Sequence, residues 1–330
     1  MRVEARRGGL LETTHPVSAV LWEGESVRWS VGADIASFWR SACKAMQLTT
    51  SLEAMEADLS TFSDEDLAVG AASHSGQAAH VTRVRALLAR FGLSEEALKC
   101  GAHWPMHDAS ARELTTITPV HNNCSGKHTF MLAASAARGW PLDYRPIAHP
   151  LQKRNLARMT EWGGVTPGVA VDGCGVPTFH APLSSQARTF ARLAREMREG
   201  ESIAARVGWA MQRAPFWMSG DKRLDARVVE CASEPLAVKI GAEGLFCIAM
   251  PKRSWGLAVK VHSGNSDILA VAVGAVLDEV APGVLGAEWW SRETWLPAGA
   301  PTSEAARTAN WITIRNVVGN PVGERVAVWE

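Results

Sequence analysis

Two clusters of reactive side chains stand out in this chain. Arg40-Ser41-Ala42-Cys43-Lys44 puts a lysine three positions after a serine. His121-Asn122-Asn123-Cys124-Ser125-Gly126-Lys127-His128 gathers a thiol, an amine and two imidazoles within one short stretch. Positions i and i+3 share a helix face, so the Lys44 amine can reach the Ser41 oxygen. A lysine in a site that disfavours its charge loses its proton near neutral pH and becomes a base that activates serine. If Ser41 opens the helix, the helix N-terminus also stabilises negative charge developing on a substrate oxygen.

Serine and lysine at this spacing recur by chance in long chains, so the pair gains weight only from its company. Serine–lysine acyl enzymes use a second hydroxyl and a second lysine on a strand. Ser73, in Ala72-Ser73-His74-Ser75-Gly76-Gln77, falls between two helical segments, and Lys239 begins Lys239-Ile240-Gly241 on a strand. The plainer alternatives are a helix N-cap at Ser73 and an edge-blunting lysine at 239. Cys124 and Lys127 share a helix face. Cys174 lies in the glycine-rich turn Val171-Asp172-Gly173-Cys174-Gly175-Val176-Pro177. A thiolate pair plus a nitrogen suits zinc. Lysine is an unusual ligand because it must shed a proton, so His121 or His128 competes for that place. Without a C-x-x-C pair, buried free thiols packing as small apolar groups are the alternative. Asp172, at a strand end, either anchors a substrate amino group or shapes the turn.

The elements around these residues must form one body. With 330 residues, 47% of them apolar, the chain can bury a sizeable core, and it reads as a single domain over 1–330. Lys+Arg and Asp+Glu both number 34, which argues against a nucleic-acid or membrane-surface partner. No secretion signal is visible, and the apolar run from Ile268 to Leu277 is too short to span a bilayer, so a cytoplasmic location is the expectation. In a reducing compartment the six cysteines are free thiols or ligands rather than a disulfide scaffold. Fourteen tryptophans stand against the single Tyr144. Trp289, Trp290 and Trp295 either cover a surface between subunits or pack in the ordinary way.

Ser18 to Trp22 and Val27 to Val31 read as a hairpin. Helical periodicity runs from Phe38 to about Leu52, and Ser63-Asp64-Glu65-Asp66 is a capping box opening a second helix. Further helices are predicted at 77–91, capped by Gly92, at 123–137 and at 150–162. A short strand over 169–172 precedes helices at 183–198 and 203–212. Strands at 236–240, 245–250 and 257–262 lead to an apolar helix at 268–280, a loop-rich stretch to 303 and a final strand pair around Gly319-Asn320-Pro321. Strands cluster at both ends and helices fill the middle. That predicts an α+β fold, with an antiparallel sheet built from N- and C-terminal strands around a mostly helical middle region.

These residues resemble the asparaginase II family, the serine–lysine, β-lactamase-like L-asparaginases called class 3 or rhizobial-type. The resemblance rests on Arg40-Ser41-x-x-Lys44, Ala72-Ser73-His74-x-Gly76, the block from His121 to His128, and Val171 to Pro177. It continues through Met218-Ser219-Gly220 with Arg223 and Asp225, Lys239-x-Gly241-Ala242-Glu243-Gly244, and Gly256-Leu257-Ala258-Val259-Lys260. It covers about residues 15 to 280. It implies a fold similar to serine β-lactamases and glutaminases, a homodimer, and hydrolysis of L-asparagine to L-aspartate and ammonia through an acyl-enzyme. By the resemblance, Ser41 is the nucleophile and Lys44 its base, and Ser73 with Lys239 forms a second pair and proton relay. Arg40, His128 and Asp172 line the substrate pocket. Cys124, Lys127 and Cys174 hold a zinc ion that tunes binding rather than carrying the hydrolysis.

The chain departs from the family pattern at Ala45, where proline is frequent, at Cys43, at Gln77, where an acid is usual, and at Glu234-Pro235 before Lys239. These bear on activity level and substrate range rather than on reaction class. The competing classes are another serine–lysine acyl hydrolase, of glutaminase or β-lactam type, and a non-catalytic amino-acid- or zinc-binding protein.

Overall fold

The computed structural model describes residues 1–290, 311–315 and 321–329. In chain order the strands are β1 (Arg2–Arg7), β2 (Leu10–Glu23), β3 (Ser26–Val31), β4 (Ala36–Phe38), β5 (Gly168–Val171), β6 (Pro177–Pro182), β7 (Ala237–Ile240), β8 (Leu245–Met250), β9 (Trp255–Val261), β10 (Trp311–Arg315) and β11 (Pro321–Val328). The helices are α1 (Lys44–Ala54), α2 (Asp64–Gly70), α3 (Ala78–Arg90), α4 (Asp108–Glu113), α5 (Ser125–Ala137), α6 (Pro150–Gly163), α7 (Leu183–Glu199), α8 (Ile203–Arg213), α9 (Pro215–Ser219), α10 (Leu224–Cys231) and α11 (Leu269–Val280).

The main sheet runs β10-β11-β1-β2-β9-β8-β7, with β3 also beside β2, and its pairs are antiparallel. A small sheet, β4-β6-β5, stands apart from it. N- and C-terminal strands thus enclose a helical middle, the α+β arrangement expected. Strands β8 and β9 are buried along their whole lengths, so both faces of the sheet are covered there. Helices α7 and α11 both pack on β9. The α7 contact is close because Gly256 lacks a side chain: a Cβ there would lie 2.0 Å from the Ala187 carbonyl oxygen.

The capping box at Ser63 and Asp66 opens α2, and Gly92, Gly139 and Gly164 follow α3, α5 and α6 with positive φ. The first helix differs from expectation. It begins at Lys44, after a 3-10 turn over Arg40–Cys43. Trp39 N–H bonds to the Phe179 carbonyl, Arg40 N–H bonds to Thr178 Oγ1, and Arg40 takes a φ of +46°. The chain is therefore tied to β6 and turned before it can wind.

Strand β2 also starts well before the expected Ser18. Its first half is mostly exposed and carries no apolar run, and the ladder to β1 makes it a strand. β6 was hidden by prolines at both its ends, which sequence patterning reads against a strand. Trp289 is buried over Gly274, and Trp290 Nε1 donates to Asp278, so these two pack within the protein. Trp295 and the Gly319-Asn320 turn lie outside the described residues. Among the described residues no helix is long and apolar enough to cross a membrane.

Candidate active site

Lys44 is fully buried at the start of α1. Its Nζ lies 2.6 Å from the Ala72 carbonyl oxygen, 2.8 Å from Ser73 Oγ and 3.2 Å from Cys124 Sγ. Such burial is tolerable only because the amine finds polar partners on three sides. Ser73 is not an N-cap. It lies in the loop between α2 and α3, where Gln77 is the capping position, and its N–H bonds to Met218 O. Ser41 sits in the 3-10 turn, half-buried. Among the described residues its hydroxyl has no hydrogen-bond partner, and the Lys44 amine is turned to Ser73. Spacing alone therefore pairs Lys44 with Ser41, whereas the tertiary fold gives it Ser73 as its hydroxyl contact.

The loop between α2 and α3 is stitched to α5 by His74. Its N–H donates to Asn123 O, and its Nε2 meets Ser125 Oγ at 2.9 Å. Gly126 allows α5 to approach α2, because a Cβ there would fall 2.1 Å from the Val69 carbonyl oxygen. Cys124 caps α5, and its N–H is held by Asn122 Oδ1 at 2.8 Å. These contacts carry Cys124 and Lys127 to the turn that bears Cys174.

There, Lys127 Nζ lies 3.3 Å from Cys174 Sγ, and the Cys124 thiol hydrogen-bonds Cys174. That hydrogen bond is the main reason the Cys174 pKa is held well below the usual thiol value, and Lys127 reinforces it against burial. The same hydrogen bond, with burial, pushes Cys124 up to about 12. Burial disfavours the Lys127 charge, but Cys174, Cys124, Cys43 and Asp172 around it raise its pKa. The arrangement is a buried cluster of two cysteine sulfurs and one lysine amine, in which the charged form of Cys174 is favoured. Two sulfurs and an amine converging on one spot have the donor chemistry of a zinc site. Among the described residues no group of three or more His, Cys, Asp or Glu is placed to hold a metal ion, and this set has an amine as its third member.

Arg40 and Asp172 form an ion pair. Arg40 Nε donates to Asp172 Oδ1 at 2.5 Å, and the Gly173 amide donates to the same oxygen at 2.9 Å. Burial works against the Asp172 charge, but Lys127, Gly173 and Arg40 outweigh it and lower its pKa. The Asp172–Val176 turn closes through Asp172 N–H to Val176 O and Gly175 N–H to Asp172 O, with Gly175 at φ +86°.

His128 is buried on α5, with Nδ1 2.9 Å from the Tyr144 hydroxyl. Its Nε2 has no partner among the described residues. Burial holds its pKa well below the ordinary histidine value.

Lys239, on β7, is buried against Asp225 with Nζ 3.7 Å from Oδ1, and it donates to the Ile240 carbonyl at 3.1 Å. It is not an exposed edge lysine. Burial first, then the charges of Lys44 and Arg223, bring its pKa down to about 8 against the pull of Asp225. Sequence reasoning gave no role to Asp225 as the Lys239 partner, or to Tyr144. The lone tyrosine of a tryptophan-rich chain was the available signal for the latter.

The family model for L-asparaginase II matches residues 3–294. No curated protein matches the chain.

Proposed function

The chain belongs to the L-asparaginase II family, and we propose that it hydrolyses the side-chain amide of L-asparagine to L-aspartate and ammonia through an acyl-enzyme on Ser41. The observation that carries this reading is Lys44, a fully buried lysine that follows the serine and holds a second hydroxyl 2.8 Å away. The Arg40 guanidinium receives the substrate carboxylate, and the Asp172 carboxylate receives its ammonium. Ser41 Oγ attacks the amide carbon, and its proton passes to the Lys44 amine, acting as the base. The carbon–nitrogen bond breaks, and ammonia leaves with that proton, relayed through Ser73. Water then attacks the ester carbon, the carbon–Oγ bond breaks, and Ser41 regains a proton. Lys239 is the second lysine of the relay.

Cys124, Lys127 and Cys174 are the proposed zinc ligands. When bound, the ion supplies a positive charge beside the substrate pocket. In Cys174→Ser protein, which lacks the sulfur shared by Cys124 and Lys127, metal analysis is expected to find little zinc. Near-stoichiometric zinc in that variant would remove the three-ligand site. The homodimer and the cytoplasmic location remain part of the proposal.

The direct test is ammonia release from purified protein given L-asparagine and, separately, L-glutamine. Release from asparagine alone supports the reading. Release from glutamine alone moves the function to the glutaminase class, and none from either moves it to binding. One methylene separates the two substrates, worth about 1–3 kcal/mol of discrimination. The pH profile has a defined sign. Lys239 is protonated below its pKa of about 8 and can accept a proton only above it, so kcat/KM is expected to rise through that pH to a plateau. A profile already flat from acid to alkaline would remove Lys239 from the relay.

A further inference from the structure

We infer that Tyr144 is a positioning residue that fixes His128 in the tautomer protonated on Nε2, so that this imidazole presents a hydrogen-bond donor, not an acceptor, to the substrate. The substrate part of this inference rests on the amidohydrolase reading; the tautomer does not.

The Tyr144 hydroxyl has two neighbours. The Lys99 backbone N–H lies 2.9 Å from Oη, and His128 Nδ1 also lies 2.9 Å away. An amide N–H can only donate, so Oη accepts from Lys99. Among the described residues the hydroxyl hydrogen then has one hydrogen-bonding acceptor, the lone pair of Nδ1. In the opposite tautomer, Oη would face two donors while its own hydrogen stayed buried without an acceptor, the kind of unmade bond that structures avoid. A neutral imidazole that accepts at Nδ1 carries its proton on Nε2.

His74, in the same part of the protein, shows what a satisfied histidine looks like. Its Nδ1 accepts from Gly76 N–H, so Nε2 donates to Ser125 Oγ, which in turn donates to Val120 O. Both ring nitrogens of His74 are committed to the fold. At His128 only Nδ1 is committed. Nε2 is buried with no hydrogen-bond partner among the described residues, in the field of Lys127, Cys124, Lys44 and Asp172. An N–H held in that position matches a carbonyl or carboxylate oxygen of the substrate, and it cannot meet the substrate ammonium. The same tautomer explains why a histidine one residue past Lys127 adds no lone pair to the sulfur–amine cluster. Metal-bound histidines donate their second ring N–H outward, whereas the second nitrogen here accepts.

The test is two-bond 1H–15N correlation spectroscopy of protein labelled in its histidines, with the His128 signals assigned by their loss in His128→Gln. The expected wild-type pattern is a protonated Nε2 and a lone-pair Nδ1. A protonated Nδ1 in the wild-type protein overturns the inference outright, with no variant needed. In Tyr144→Phe the single tautomer is expected to give way to a mixture. An unchanged pattern there would show that Tyr144 does not set it. Addition of L-aspartate, the proposed product, is expected to shift the His128 Nε2 proton. If aspartate moves other site signals and leaves His128 still, the donor role fails. If it moves none, the amidohydrolase reading fails and the tautomer assignment stands.

Discussion

Ser41→Ala protein is expected to lose ammonia release from L-asparagine by roughly 10⁶-fold, the scale on which a serine acyl enzyme depends on its nucleophile. Two hydroxyls compete for that role, and the geometry separates them. Ser73 is buried and hydrogen-bonded to Lys44. Ser41 is half-buried, and among the described residues its hydroxyl has no hydrogen-bond partner. A hydroxyl without a structural duty is the one free to form and break a bond to substrate. For the same reason the substitution should hardly touch stability, by about 0.5 kcal/mol or less in thermal or denaturant unfolding. Ammonia release near the wild-type rate in Ser41→Ala, together with its loss in Ser73→Ala, would move the nucleophile to Ser73.

Lys44→Met is expected to lower kcat by about 10²–10⁴-fold, the contribution of a positioned general base. Methionine keeps an unbranched chain of similar length and removes the amine. The Ala72 carbonyl then loses its donor at 2.6 Å, a cost of about 1–3 kcal/mol for a buried acceptor left unpaired. Unfolding measured beside kinetics separates this cost from the chemistry. If Ser41 and Lys44 act as one unit, as proposed, the double variant Ser41→Ala/Lys44→Met should be little slower than Ser41→Ala alone. A near-normal rate for Lys44→Met would transfer the base to Lys239.

Much of this site was legible because its parts are local. Cys124 and Lys127 meet one target because both belong to one helix start, and the Asp172–Val176 turn follows from its glycines. The capping box at Ser63 and the glycines after α3, α5 and α6 mark real helix ends, since capping is decided by a few neighbouring residues. What sequence left out is set by distant partners. Spacing pointed the Lys44 amine at Ser41, and only the approach of the Ala72-Ser73 loop gave it a different hydroxyl. The Lys239–Asp225 pair joins a strand to a helix start, with no periodic signal connecting them. The polar first half of β2 is a strand through its ladder, not through a buried face. Likewise the 3-10 turn at Arg40 reflects bonds to β6, more than a hundred residues away along the chain.

The pairing of β2 with β9 sets Val17 opposite Val261 and Glu23 opposite Trp255. Every residue proposed for the chemistry, from Arg40 to Lys239, lies within the chain segment that this ladder closes. Closing so long a loop spends chain entropy before any contact in the ladder repays it. Such non-local strand pairing is the slow kind of event in folding, and helices form far faster. The helices that bear Lys44, Cys124 and Lys127 can thus be present in a chain whose sheet is still open. The complete constellation, with Lys239 on β7 beside them, is therefore expected to assemble late, with the non-local strand pairing rather than with the helices.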